Sequence, residues 1–315
     1  MKKVIPIFYA CDDAFVKYTI VSLSSMIKNA SRDYEYKIHV LYTDISEEMK
    51  RRTMELENEN FKISFVSVSK YLESISDKLP LRHYYSKTTY YRLFISEMFK
   101  DIDKALYIDS DTIIKGDISA LYNTDVSSHY LAACREQAME QVDVYGTYAE
   151  RVVGVSRHEF FNAGVILINC ERFRREKILG KFIHYLGIYD FIVTQDEDYL
   201  NLVCKGGVLW LDQKWNTELT EGLEYEYDID EANILHFIMV NKPWHYELCR
   251  GADVYWSYAK NTSVYEDLTK ELSAYSDEAR RRDRDSAIQL LQMAIEETER
   301  KDNFLNVWGD KLPLV

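Results

Sequence analysis

Short runs of buried-type residues alternate with amphipathic helices through most of this chain, and that alternation limits the fold more than any other feature. Residues 4–11, 36–42 and 62–68 have the length and side chains of strands. Val16, Ile20, Leu23 and Ile27 fall on one face of a helix predicted over 15–28. Ser46 stands where a helix cap belongs, with Glu47 and Glu48 in a first turn that suits the helix dipole. Such alternation predicts an open, largely parallel α/β sheet with helices on its faces. Further strands are predicted over 105–108, 130–134, 165–169 and 208–211, with a short apolar approach over 234–237. From residue 255 the pattern turns helical. Over 278–300, Ile288, Leu291 and Ile295 form one stripe behind Ser276 or Asp277 as cap, a stripe expected to pack on the body or on a second subunit.

The strand over 105–108 ends in Asp109-Ser110-Asp111. At a strand's end, residues two apart point the same way. Two carboxylates can therefore face one divalent cation in the crevice beyond the sheet, where α/β proteins bind ligands. The spacing alone is not specific, since Asp101/Asp103, Asp196/Asp198, Asp228/Asp230 and Asp283/Asp285 share it. Strand-end carboxylates also cap turns and helices. What separates Asp109 and Asp111 is the apolar strand that delivers them.

Three other segments carry candidate chemistry. Residues 78–92 hold Lys78, Arg82, His83, Lys87 and Arg92 and no acid. Arg92 can reach an anionic ligand, while a salt-bridged helix face is the plainer reading of the segment. Phe161-Asn162-Ala163-Gly164 places small residues just before a predicted strand, where a ligand can approach the backbone or a tight turn can form. Gln195-Asp196-Glu197-Asp198 opens an apolar run as the acidic first turn of a helix.

Composition narrows the function. A net charge of −13 argues against nucleic acid and against a polybasic membrane patch. With a phosphorylated ligand, a metal ion must offset local repulsion. The 25 tyrosines and 5 tryptophans can stack on sugar faces, although core packing explains most of them. Five scattered cysteines without a C-x-x-C read as reduced thiols of the cytosol. The apolar stretch after Lys3 is too short for a signal peptide, and no segment has the length of a membrane span. G-x-G-x-x-G and the P-loop are absent, His158-Glu159-Phe160-Phe161-Asn162 lacks the second metal histidine, and 154–158 lacks the second glycine of a nucleophile elbow.

Taken in order, Tyr-Ala-Cys-Asp-Asp (9–13), Tyr-Tyr-Arg-Leu (90–93), Leu-Tyr-Ile-Asp-Ser-Asp (106–111), Phe-Asn-Ala-Gly-Val (161–165), Gln-Asp-Glu-Asp-Tyr-Leu-Asn (195–201) and His236 followed by Lys242-Pro-Trp-His resemble glycosyltransferase family 8. That family includes bacterial galactosyl- and glucosyltransferases of cell-surface glycans, and glycogenin. The resemblance covers residues 4 to 250 and leaves 251–315 outside. It implies a GT-A fold, an α/β architecture with a Rossmann-like, mostly parallel central sheet flanked by helices. A nucleotide-sugar-binding half over 1–120 and an acceptor-binding half over 121–254 would be followed here by a helical C-terminal extension over 255–315.

The resemblance also implies retaining transfer of glucose or galactose from a UDP-sugar to a glycan or lipid-linked sugar, with Mn²⁺ as cofactor and Mg²⁺ as the alternative. Carried over position by position, Asp109, Asp111 and His236 would bind the metal. A nitrogen ligand beside carboxylates suits Mn²⁺ better than Ca²⁺ or Mg²⁺. Ala10 and Asp12 would hold the uracil end, the backbone near Ser110 the ribose, and Lys242 the diphosphate. Arg92 would sit beside the donor sugar, with Asn162, Ala163, Asp196 and Glu197 around the reacting carbon; Asp196, Glu197 and Arg92 would form the catalytic set. The expected setting is the cytoplasm, peripheral at most to the inner membrane face, with a homodimer through the C-terminal helix as a further expectation.

The chain departs from the family pattern in three places. Glu197 stands where relatives have Gln, so a carboxylate could serve as nucleophile, as electrostatic support, or as a plain hydrogen-bonding group. Met239 replaces a glycine expected to approach the phosphate, and Ala14 replaces an Asn near the ribose. The competing readings are a non-catalytic sugar- or nucleotide-binding protein on the same scaffold, and a nucleotidyltransferase. The latter would need a glycine-rich basic loop that 9–16 does not supply.

Overall fold

In the computed structural model, which describes residues 2–74 and 88–309, the strand-type runs assemble into two sheets. The strands are β1 (Lys3–Ala10), β2 (Tyr34–Tyr42), β3 (Phe61–Ser67), β4 (Lys104–Ile108), β5 (Thr112–Ile114), β6 (Leu131–Arg135), β7 (Phe161–Asn169), β8 (Val208–Trp210), β9 (Thr217–Glu218) and β10 (Ile234–His236). The larger sheet has the order β3-β2-β1-β4-β7-β6-β8 and the smaller β5-β10-β9. In the larger sheet, β3, β2, β1 and β4 pair in parallel, as do β6 and β8. Only β7 runs against its neighbours. The last six residues of β1 and all nine of β7 are buried, as expected of strands covered on both faces.

The first predicted helix spans Val16–Asn29 and buries Val16, Ile20, Leu23 and Met26. Ser46 caps Glu47–Met54, its hydroxyl accepting from the Met49 amide. The mostly parallel sheet flanked by helices follows from sequence.

Two expectations need correction. Asn162, Ala163 and Gly164 do not precede a strand; they lie inside β7. The Asp109 amide donates to the Gly164 carbonyl at 2.7 Å, which extends the β4–β7 ladder past Ile108. The C-terminal helix does run over Asp277–Glu299 with Ser276 as cap, but Ile288 is 66% exposed. The helix docks through Ala294 and Glu297 instead, with Leu290 and Leu291 packed against the main core. Of the cationic segment, Lys78, Arg82, His83 and Lys87 lie outside the described residues, whereas Arg92 belongs to the short helix Thr88–Phe94. Among the described residues, no helix is long and apolar enough to cross a membrane. The five cysteines are free thiols, four of them buried.

Candidate active site

The chain passes from the larger sheet to the smaller through Asp109-Ser110-Asp111, between the end of β4 and the start of β5. Antiparallel pairing sets His236 of β10 opposite Thr112, and the Phe237 amide donates to the Asp111 carbonyl at 2.9 Å. The imidazole Nε2 therefore lies 3.2 Å from Asp111 Oδ1 and 3.9 Å from Asp109 Oδ2. One ligand atom from each of the three residues falls within 4.8 Å of the others. Gly164 makes room for this cluster. A methyl group on it would stand 2.3 Å from His236 Cε1 and 2.7 Å from Asp109 Oδ2.

A hydrogen-bond chain fixes the tautomer of His236. The Gly164 amide, an unambiguous donor, points at Asn162 Oδ1 (2.8 Å). Asn216 Nδ2 donates to the same oxygen (2.8 Å), which turns Asn216 Oδ1 towards His236 Nδ1 at 3.0 Å. Nδ1 thus carries the hydrogen, and Nε2 presents its lone pair to the aspartates. Asn162 is held in turn by Glu136, which accepts from its Nδ2 at 2.6 Å.

Cations balance the acid pair. Lys242 Nζ donates to Asp111 Oδ2 at 2.6 Å and also to the Phe237 carbonyl. Burial alone would raise the Asp111 carboxyl; the Lys242 ammonium holds it far below the usual carboxylate range. Asp109 Oδ1 accepts from the Tyr107 hydroxyl at 2.7 Å and lies 3.6 Å from Arg92. Arg92, 5% exposed, stacks over the Tyr107 ring, pairs with Asp196 at 2.8 Å and donates to the Ala163 carbonyl.

Gln195, at φ 57° and ψ −114°, turns the chain so that Asp196 and Glu197 open the helix Asp196–Cys204 at the cavity wall. Glu197 Oε2 accepts from the Ala163 amide at 2.8 Å. Burial and the neighbouring Glu136 push the Glu197 carboxyl well above its ordinary value, and they do the same to Glu218. Burial also raises Asp196, against the pull of Arg92.

Asp198 points away from the cavity and accepts from Tyr148 (2.9 Å) and from the Thr194 amide (3.0 Å). Burial lifts it from 3.8 to about 7, although those hydrogen bonds pull it down. The folded chain therefore holds a proton that the unfolded chain releases between these values. Its stability falls across that interval as pH rises, and the contribution is fully lost above it. Asp198→Asn keeps an acceptor and removes the charge. Urea unfolding should find the variant equal to the parent near pH 4 and more stable at pH 8, by on the order of 2 kcal/mol; parallel pH profiles would exclude this.

One cavity is thus walled by Arg92, Asp109, Asp111, Asn162, Asp196, Glu197 and His236. Ala163 contributes backbone only, its amide to Glu197 and its carbonyl to Arg92. The other donor-site candidates stand apart from that lining. Ala10 ends β1 beside the end of β4; Asp12 accepts from the Phe15 amide at 2.9 Å; the Ser110 hydroxyl meets Thr19 at 2.8 Å. Lys242 reaches Asp111 from outside. Met239 does line the cavity, and its φ of 54° is the left-handed conformation that glycine adopts freely. The loop keeps a glycine's shape with a methionine in it, at a cost on the order of 1 kcal/mol.

Sequence reasoning missed Tyr107, Glu136, Asn216 and Glu218. Glu136 follows a predicted strand as Asp109 does, so the rule that picked out the aspartates could have found it. Nothing local marks Asn216, which lies just past the short helix Gln213–Trp215.

Residues 6–247 match the family model for glycosyl transferase family 8. A Haemophilus influenzae protein described as a glycosyltransferase is 31% identical over 251 residues, covering 76% of this chain and 72% of its own length. The lipopolysaccharide 1,2-glucosyltransferase of Escherichia coli is 27% identical over 201 residues, 60% of this chain and 58% of that enzyme. Among solved structures, the galactosyltransferase LgtC with donor and acceptor sugar analogues superposes with a TM-score of 0.69 at 27% identity, over 85% of this chain and all of that one.

Proposed function

This chain belongs to glycosyltransferase family 8, and on that premise we propose that it moves glucose or galactose from a UDP-sugar to an acceptor hydroxyl, with retention at the anomeric carbon. The observation that carries the reading is the convergence of Asp109, Asp111 and His236, with the Nε2 lone pair turned to the carboxylates and Gly164 leaving the space open. Two carboxylates and an imidazole fit Mn²⁺, with Mg²⁺ as the second choice. Such an ion, when bound, neutralises charge on a leaving diphosphate.

The chain's own residues supply the rest. Lys242 balances Asp111, and a cation on that carboxylate would leave the ammonium available to the diphosphate. Arg92 and Asp196 lock each other at the wall, so neither turns freely, and Asp196 can support positive charge growing on the sugar ring. Glu197 has one oxygen engaged by the Ala163 amide, and burial beside Glu136 pushes its carboxyl up, which favours a hydrogen bond to a sugar hydroxyl over attack on carbon. Glu197→Gln should therefore keep the transfer rate within about tenfold. A loss beyond about a thousandfold would assign Glu197 as nucleophile. The acceptor in this reading is a glycan or lipid-linked sugar, worked on from the cytoplasmic side.

UDP release over a panel of UDP-sugars, with Mn²⁺ and with chelator, tests the whole. One hexose donor should turn over with metal and stop with chelator. No release from any donor would leave the non-catalytic binding protein as the better reading, and release indifferent to chelator would remove the metal from the mechanism.

A further inference from the structure

The catalytic cavity continues outward as a groove. One wall is the helix Asp277–Glu299, through Ala287, Ile288 and Leu291; Leu223 and Val240, from the loops after β9 and β10, line the other, and Val142 also lines the groove. Ala138, Tyr145 and Met239 line both groove and cavity, and Leu290 of the same helix lines the cavity itself. The family match ends at residue 247, so the helix Asp277–Glu299 lies outside the matched region.

Single exposed apolar side chains are ordinary, but the two most exposed lie along this groove and the hollow next to it. Leu248 (95%) and Ile288 (66%) are the most exposed large apolar residues among those described. Ile288 lines the groove, and Leu248 lines the next hollow outward, which shares Glu221 and Asn241 with it. Thr220, Glu221, Asn241 and Arg284 also line the groove and offer partners to hydroxyls, but sugar hydroxyls laid against Val142, Leu223, Val240 and Ile288 would lose water without gaining any. An alkyl chain there loses nothing and covers the apolar surface.

We propose that this groove seats the apolar aglycone of the acceptor, as in a lipid-linked sugar, while the sugar it carries offers its hydroxyl in the adjoining cavity. The inference rests on the reading of that cavity as the transfer site. Binding of methyl β-glucoside and octyl β-glucoside to the full chain, titrated below the micellar concentration, tests it. Octyl β-glucoside should bind at least tenfold more tightly. Ile288→Asp on one wall, or Val240→Asp on the other, should each bring the ratio close to one. A ratio near one in the parent chain, or a parent ratio unchanged in both variants, overturns the proposal. Metal-dependent UDP release without acceptor is read on the same preparations. Release with no octyl preference removes the groove and leaves the transferase standing; an octyl preference without release keeps the groove and removes the transferase.

Discussion

Replacing Gly164 by alanine will lower UDP release by on the order of a hundredfold while the chain stays folded. Gly164 is not among the residues with positive φ, so alanine has no backbone quarrel with the position. The obstacle is the site itself. The new methyl would meet His236 Cε1 at 2.3 Å, Asp109 Oδ2 at 2.7 Å and Asn162 Oδ1 at 3.0 Å. These distances are below contact, so the imidazole or the carboxylate must move. Asn162 also anchors the chain that sets the His236 tautomer, so orientation and position fail together. Mn²⁺ titration should show affinity down by about 10–100-fold. Urea unfolding should show a stability change within about 2 kcal/mol, because the displaced groups border a cavity. An alanine variant with the parent's metal affinity and rate would mean that the three ligands do not act as one site.

His236→Ala should have the larger effect, a fall in UDP release of about a thousandfold or more. The variant removes the one nitrogen donor and leaves Asp111 with Lys242 alone. That pair is self-sufficient, and the ammonium then competes with any divalent ion for the carboxylate. Raising Mn²⁺ should therefore recover little of the rate. Metal binding and UDP release measured over a wide Mn²⁺ range check this; a variant restored to parental activity by excess metal would make His236 dispensable. The loss should exceed that of Glu197→Gln by at least two orders of magnitude, since in the proposed mechanism Glu197 contributes one hydrogen bond.

The two aspartates could be read from sequence because the signal was local: a short apolar run fixes a strand, and acids at its end face the crevice. His236 was different. Inside Ile234-Leu235-His236-Phe237 it has the pattern of a core histidine, and only the ordered family blocks assigned it to the metal. Its partner Asn216 sits in an irregular stretch with no periodicity, and its role arises solely from Asn162, distant in sequence, lying within hydrogen-bond reach. Glu136, Glu197 and Glu218 each look like ordinary acids of a chain with 52 acidic residues. The raised proton affinity of Glu197 and Glu218 follows from burial beside Glu136.

By itself the sequence determined most of the elements: that strands and helices alternate, that the first helix buries one apolar face, and that Asp109 and Asp111 stand at a strand's end. These properties depend on a few consecutive residues and their backbone preferences. Only the tertiary structure decided that β7 runs against its neighbours, carrying Asn162 to Gly164 to the edge where β4 ends, and that β10 pairs with β5 so that His236 faces the aspartates. Strand direction, sheet partner and helix docking depend on packing between segments far apart in the chain, and an isolated segment bears no mark of the surface it will meet.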